Sequence, residues 1–506
     1  MDTSRTEVGP RGSYQLGVSR PALEIADLPA PEEVFGVERI GPKELFKYAV
    51  GPSLIALGIS IGSGEWLLGP LSVGQFGFVG VGWVITLSIV LQTLYNIEHA
   101  RYVVATGEVP VLGFGRAPPG FLFWVPLSVL LIFFSFIWGG WAASAGQGLF
   151  TLFTGRVAET PGDTAAAQWL ATLLLVLVFV IAALSRVVTR GLELVNWAIV
   201  GFVLVVLIIL DIAVVPASIW WEGFRGLFTP ARPPAGITAT ELGGLAGFAA
   251  LASGLNWYVM NHYRDKGYGM GSRVGFIAGL RGERKEVLAS GVTFPDDEKN
   301  AGLWKRWYRL LLVDMWGVFF VGAFLGMLLP TILMTHAVRL SGEIPTTETV
   351  PVFVATVLRE EYGGALFFLA LLIGTLILFS TQLGIFEAMV RNFTDGLNGI
   401  SPGFRRLVEG DPRRFYFVFM GVLIVVIAIV IRLALPVRLI QVSANMSNLG
   451  ALIYPFILIY LNSKLPRAAR PSMWHYAVLL IAAVFFGFFF INFVVEFFTG
   501  EALVVF

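Results

Sequence analysis

The sequence predicts an all-α integral membrane protein of about eleven transmembrane helices. Three observations predict it. Of 506 residues, 56% are hydrophobic and only 14% charged, and the mean hydropathy is +0.77; a water-soluble chain of this length cannot hide so much apolar surface. Apolar runs of the roughly 20 residues needed to cross a bilayer recur along the chain. Basic residues gather in alternate connections between those runs.

The elements follow in order. Residues 1–44 are polar and hold several prolines and both charge signs, as a cytoplasmic tail with a short amphipathic stretch would. Spans are expected near 45–78, 79–107, 120–153, 165–188, 190–219, 237–262, 304–337, 363–394, 414–435, 437–463 and 473–498. The long third and eighth have room for internal breaks. Arg264, Lys266, Arg273, Arg281, Arg284, Lys285, Lys299, Lys305, Arg306 and Arg309 follow the sixth span. Arg405, Arg406, Arg413 and Arg414 follow the eighth, and Lys464, Arg467 and Arg470 the tenth. Alternating helices put these three connections on one side, which the positive-inside rule makes cytoplasmic. The amino terminus is then inside and the carboxyl terminus outside, in an inner or plasma membrane. The segments read as a tail (1–44), a five-helix unit (45–219), an outer connection (220–236), a second five-helix unit (237–463) with a basic loop over 262–303, and a peripheral eleventh helix with the C-terminus (464–506).

The first and sixth spans stand apart. The first carries Gly62-Ser63-Gly64-Glu65-Trp66, and the sixth Ser253-Gly254-Leu255-Asn256-Trp257. Each places a Ser-Gly pair at mid-span, then a polar side chain, then Trp. Glycine loosens a helix there, and serine offers competing hydrogen bonds to the freed backbone. Gly-interrupted helices at matching positions of two repeats point to a midplane binding site in a secondary transporter. Two inverted five-helix repeats with unwound first and sixth helices are therefore expected.

Other chemistry is excluded. The net charge of +1 gives no reason to expect nucleic acid, and no cysteine is present for disulfides, thiolate ligands or nucleophiles. There is no HExxH or P-loop pattern. No enzyme activity and no cofactor are expected. The partners are a small solute or metal cation and membrane lipid, and a monomer is the expected unit.

At this point the sequence resembles the Nramp family of divalent metal transporters, within the wider amino acid-polyamine-organocation superfamily. The resemblance is carried by Gly51-Pro52, Ile61, Gly77, Ala105-Thr106-Gly107, Asp395-Gly396-Leu397, and Gln441, Asn445 and Asn448 before Pro455. It implies two inverted five-helix repeats around an unwound site. The chemistry departs from that family. Its DPGN positions are Gly62, Ser63, Gly64 and Glu65 here, so the aspartate is missing. Its MPHN positions are Ser253, Gly254, Leu255 and Asn256, with Ala250 at the carbonyl position. The third span, 120–153, contains no Asp or Glu where the family relays protons, so the usual proton coupling is not expected.

What remains is a carboxylate (Glu65), hydroxyls (Ser63, Ser253), an amide (Asn256) and backbone near Gly62 and Ala250. Hard oxygen donors of this kind suit magnesium, calcium or manganese. Glu65, Ser253, Asn256 and Ala250 are the expected ligands of an alternating-access carrier of a hard divalent cation. A rival reading takes Gly62-Ser63-Gly64 as a helix opening for the carboxylate of an amino acid or similar organic solute. An ion channel is a further alternative. Gln382, Gln441, Asn445, Asn448 and Asp314 are candidates for the pathway or its gates, and the carboxamides serve equally as interhelical hydrogen bonds. Glu98 with Arg101, and Glu387 with Arg391, are spaced to pair locally.

Overall fold

The structure is a computed structural model that describes residues 22–45, 53, 57, 61–184, 188–251, 254–275, 290–409 and 411–506. Gly51-Pro52 and Ser253, both singled out above, lie outside the described residues. The fold is all-α apart from one short strand pair.

The first span resumes at Ile61, makes a π-helical turn over Gly64–Leu68 and continues as α1 (Gly69–Phe76). The second is α2 (Gly82–Thr106), closed by Gly107 in the left-handed region at φ 64°. The third has a break: α3 (Phe121–Phe136) and α4 (Gly140–Thr154) meet at Gly139, whose φ of 66° glycine adopts without strain. The fourth and fifth are α5 (Pro161–Leu184) and α6 (Val188–Val214). An amphipathic α7 (Ala217–Phe228) then lies outside the sequence of spans.

The sixth span is α8 (Ala239–Phe248) and α9 (Leu255–Asp265). A reciprocal cap starts α8: the Glu241 amide donates to Thr238 Oγ1 at 3.1 Å, and the Thr238 amide to Glu241 Oε2 at 2.8 Å. The seventh span runs through α10 (Glu298–Leu312), a π-helical stretch over Val313–Phe320 and α11 (Val321–Ser341). A surface helix α12 (Val350–Tyr362) leads into the eighth, α13 (Gly364–Ile400), which is unbroken. The last three spans are α14 (Arg413–Val430), α15 (Pro436–Ser463) and α16 (Met473–Thr499).

Among the described residues eight segments are long and apolar enough to cross a membrane. Of the remaining spans, buried Asn96, Glu98, His99 and Arg101 dilute the second, and the sixth is interrupted after Phe248. The described residues of the first, second and sixth spans are largely covered by protein. The third, fourth, fifth, ninth and eleventh carry many of the exposed apolar side chains, among them Leu130, Trp169, Leu194, Val418 and Val484, as lipid contact requires. α16 packs on α15 and α8. The chain end returns with it, the Phe506 amide donating to Ile237 O at 3.0 Å.

The basic connections share one face. The Arg467 amide, after the tenth span, donates to Asp296 in the loop after the sixth. Arg101, at the end of α2, donates to the Ala469 carbonyl at 3.0 Å and to Tyr308 Oη at 2.8 Å.

The tail, expected to carry a short amphipathic stretch, is docked on this face over residues 22–45. Glu24–Ile25 pairs in parallel with Val292–Thr293, the Leu28 amide donates to Asn300 Oδ1 at 2.9 Å, and Trp307 Nε1 donates to Pro29 O at 2.8 Å. Leu23 and Leu28 are buried, and the Phe35 ring meets both Tyr268 and Trp307 edge-on at 5.6 Å.

Candidate functional site

The breaks in the first and sixth spans touch each other. A Cβ built on Gly64 would lie 1.7 Å from the Phe248 carbonyl oxygen, so only glycine permits this backbone approach. The four residues of the first break then fan out to four neighbours. Ser63 Oγ accepts from Trp141 Nε1, in α4, at 2.7 Å. Gly64 abuts Phe248 of α8. Glu65 lies against Gly326 of α11, and the Trp66 ring against Gly374 of α13.

Glu65 is fully buried. Its Oε2 accepts from the Gly62 amide at 2.9 Å, capping its own broken turn, and its Oε1 has no hydrogen-bond partner. The Glu65 stem thus lies against the seventh span, and its carboxylate is held by its own turn. The centre between the breaks is built differently. Thr381 Oγ1 lies 3.5 Å from Ile61 O. Gln382 Oε1 accepts from the Ala142 amide at 3.2 Å, whereas Gln382 Nε2 is buried and without an acceptor. Phe136, Trp141 and Phe248 form an aromatic group beside them, with ring centroids 5.6 to 6.4 Å apart. Gly254, at φ 99°, approaches Ile132 and Phe136 from the sixth span.

The open backbone of the sixth span is satisfied from α2, by residues the sequence reading passed over. Ser88 Oγ donates to Ala246 O at 2.5 Å, Gln92 Oε1 accepts from the Leu251 amide at 2.9 Å, and Gln92 Nε2 donates to Ala246 O at 3.3 Å. A buried unpaired amide costs about 1–3 kcal/mol, so these two side chains are what makes the break tolerable in a lipid-filled surrounding. Their only sequence signal was polarity inside an apolar span.

The other expected residues disperse. Asn256 Nδ2 donates to Asn96 Oδ1 of α2 at 2.5 Å. Ala250 is buried in the break. Asn445 Nδ2 donates to Thr240 O at 3.2 Å and Asn448 Nδ2 to Gly243 O at 3.0 Å, so both pin α15 to α8; Gln441 supplies a carbonyl to Asn445 at 3.1 Å. Asp314, in the π-helical stretch of the seventh span, accepts from the Ser53 amide at 3.2 Å and from Tyr263 Oη at 2.5 Å. It joins the first, sixth and seventh spans. Among the described residues, no three His, Cys, Asp or Glu side chains converge as a metal site would need.

On the face opposite the basic connections a cavity of about 460 Å³ opens, lined in part by Gln147, Thr151, Gln168, Val352 and Arg432. Its wall, α4, is the helix whose first turn holds Ser63 and Gln382.

With this geometry the chain compares with solved membrane transporters. It is similar to a manganese transporter of Eremococcus coleocola, solved in complex with an aromatic bis-isothiourea compound, at 14% identity and TM-score 0.54 over 91% of this chain and 90% of that one. It is similar also to MhsT in complex with L-phenylalanine, at 17% identity and TM-score 0.52 over 87% of this chain and 98% of that one. No protein-family model and no curated protein matches the sequence. The likeness is therefore one of fold.

Proposed function

We propose that the chain is a secondary transporter working by alternating access, and that its solute is a small organic molecule bearing both hydrogen-bond acceptors and donors, such as an amino acid. The observation that carries this reading is the mixed, mostly neutral polar set at the breaks. Gln382 Nε2 is a buried donor lacking an acceptor, and an N–H group cannot ligate a cation. The Ser63 hydroxyl, still able to donate, stands beside it, and the aromatic group of Phe136, Trp141 and Phe248 suits an apolar part of the solute.

A divalent cation fits less well. Glu65 is the only carboxylate within either break, and one of its oxygens is already taken by the Gly62 amide. A dication beside one carboxylate would keep a surplus charge out of water, which is costly. The hard-cation reading retains two supports: the unpartnered Glu65 Oε1, and the manganese named for one fold neighbour. The L-phenylalanine named for the other supports the organic solute. The basic face is read as cytoplasmic by the positive-inside rule, with the cavity on the outer side as the entry.

The test is thermal stabilisation of the purified protein by a panel of amino acids and of magnesium, calcium and manganese, in wild type, Ser63→Ala, Gln382→Ala and Glu65→Ala. A ligand of the folded state at a hundredfold excess over its Kd adds about 2.7 kcal/mol. Stabilisation by an amino acid, lost in Gln382→Ala, is the expected result. Stabilisation by a cation alone, lost in Glu65→Ala, would replace the organic reading with the metal one.

A further inference from the structure

Five ionisable side chains are buried together where the lower half of the sixth span meets the eighth. Asp265 Oδ1 accepts from Arg264 Nε and Asp265 Oδ2 from Arg391 Nη1, both at 2.9 Å. Arg264 Nη1 reaches Asp395 Oδ2 at 3.1 Å. Arg391 Nε also donates to Glu387 Oε1 at 2.6 Å, one turn earlier on its own helix, and Tyr416 Oη of α14 donates to that same oxygen at 3.1 Å. None of the five side chains is more than 4% exposed. Two of the pairs, Arg391–Asp265 and Arg264–Asp395, cross from α9 to α13.

The donors at Glu387 are lopsided. Oε1 takes two of them, whereas Oε2 is buried and takes none. Nearby polar atoms are also left over: Arg391 Nη2, Tyr258 Oη and both ring nitrogens of His262 lack partners. The Tyr258 and His262 rings meet edge-on at 4.4 Å. The charge of Glu387 reaches Tyr258, and that of Arg391 reaches His262. Lys266, half-buried at the margin, acts on both His262 and Asp314. The guanidinium beside Glu387 is thus divided between two carboxylates, and an incompletely compensated buried charge is costly.

We propose that Glu387 is a proton-binding site, taking a proton on Oε2 from the water of the basic face as the sixth and eighth spans close and releasing it to that water when they part. Protonation turns the carboxylate into a neutral acid and leaves Arg391 to Asp265 alone, so the pair that crosses between spans tightens. When the spans part, water solvates the carboxylate and Arg391, and the proton leaves to that water. Glu387 lies five residues below Gln382 on α13, about 7.5 Å along the axis, so the proton and the solute act on the same helix. Coupling of this kind is reciprocal: if closure favours the proton, acid favours closure. The inference rests on alternating access and not on the identity of the solute.

The chain has no cysteine of its own, so one placed at Ala388, fully buried beside Glu387, reports opening by its reaction with a water-soluble maleimide. Rates are normalised to a cysteine at exposed Lys305, which removes the reagent's own pH dependence. From about pH 8 to about pH 5.5 the Ala388→Cys rate is expected to fall about tenfold, within the usual range of coupling between sites. Glu387→Gln, which keeps an acceptor for Arg391 and Tyr416 while remaining neutral, is expected to hold the slow rate at every pH. Tyr416→Phe removes one donor to the carboxylate and should move the midpoint to higher pH. A pH-independent parent, an unchanged pH dependence in Glu387→Gln, or an unmoved midpoint in Tyr416→Phe would each overturn the proposal. No solute is added, so failure of the organic-solute reading leaves this outcome untouched.

Discussion

Gly64→Ala tests the contact between the two breaks most directly. The added methyl group would sit 1.7 Å from the Phe248 carbonyl oxygen and 2.6 Å from its carbon. Real Cβ contacts essentially never fall below 3.0 Å, and the obstacle is main chain, which cannot rotate aside. The sixth span must therefore move away from the first. Overpacking in a well-packed interior costs about 1–3 kcal/mol, and a rigid backbone neighbour places this site at the upper end of that range. The assay is thermal unfolding of the purified protein, with Phe248→Ala, Gly64→Ala and the double variant side by side. Truncating Phe248 leaves its carbonyl in place, so the double variant is expected to recover nothing. Gly374→Ala is the contrasting case. Its methyl group would meet the Trp66 ring at 2.4 Å, and Trp66→Leu should restore stability. A Gly64→Ala protein as stable as wild type, or one rescued by Phe248→Ala, would refute the backbone contact.

Gln92→Leu should destabilise by about 1–3 kcal/mol, because the Leu251 amide loses its buried acceptor; the same unfolding assay reads it. Trp141→Phe keeps the ring but deletes the 2.7 Å bond to Ser63; a loss of about 1 kcal/mol, with weaker ligand stabilisation, is expected, and an unaltered ligand response would remove Ser63 from the site. Asp314→Ala should cost more than Asp314→Asn, since the amide oxygen still accepts from Ser53 or Tyr263; equal losses would deny the junction between three spans. On the basic face, the Lys299 ammonium beside Asp27 holds that carboxyl below its usual range. A lowered carboxyl supports the fold above its unfolded value, and the support fades as acid protonates it. Both side chains are more than half exposed, so Asp27→Asn should leave the acid-unfolding midpoint nearly unchanged at moderate salt, whereas Leu28→Asp should release the docked segment to added protease.

The spans were legible because lipid exposure is written locally, as long apolar runs. The two breaks were legible too, through Ser63-Gly64 and Ser253-Gly254, although Ser253 itself lies outside the described residues. Glu387 with Arg391 and Glu98 with Arg101 pair as their helical spacing implies. The pairings that build the site's surroundings join residues far apart in sequence. Ser63 meets Trp141, and Leu251 meets Gln92; a serine or a glutamine inside an apolar span does not name its partner. Glu65 shows the same limit. Its type suggested a ligand, but which neighbour it faces depends on the helical phase after the break, and a π-helical turn alters that phase. Asn445 and Asn448, open between pathway and interhelical roles, act as clasps because α8 presents the Thr240 and Gly243 carbonyls one turn apart toward α15. The docked tail was hidden by its composition, since few apolar side chains, Leu23, Leu28 and Phe35 among them, anchor it, and the rest of its hold is through backbone bonds.

The fan of Ser63, Gly64, Glu65 and Trp66 restricts how the first span can travel. Four consecutive residues engage the third, sixth, seventh and eighth spans in turn. Rolling this segment about its long axis by a single residue would set every one of them against the wrong neighbour, with Glu65 turned toward the approach to Phe248 that only glycine permits. Tilting breaks contacts on one flank while preserving those on the other. The segment is keyed against rotation and free to rock, so any passage from one side of the bilayer to the other has hinge motion as its available coordinate.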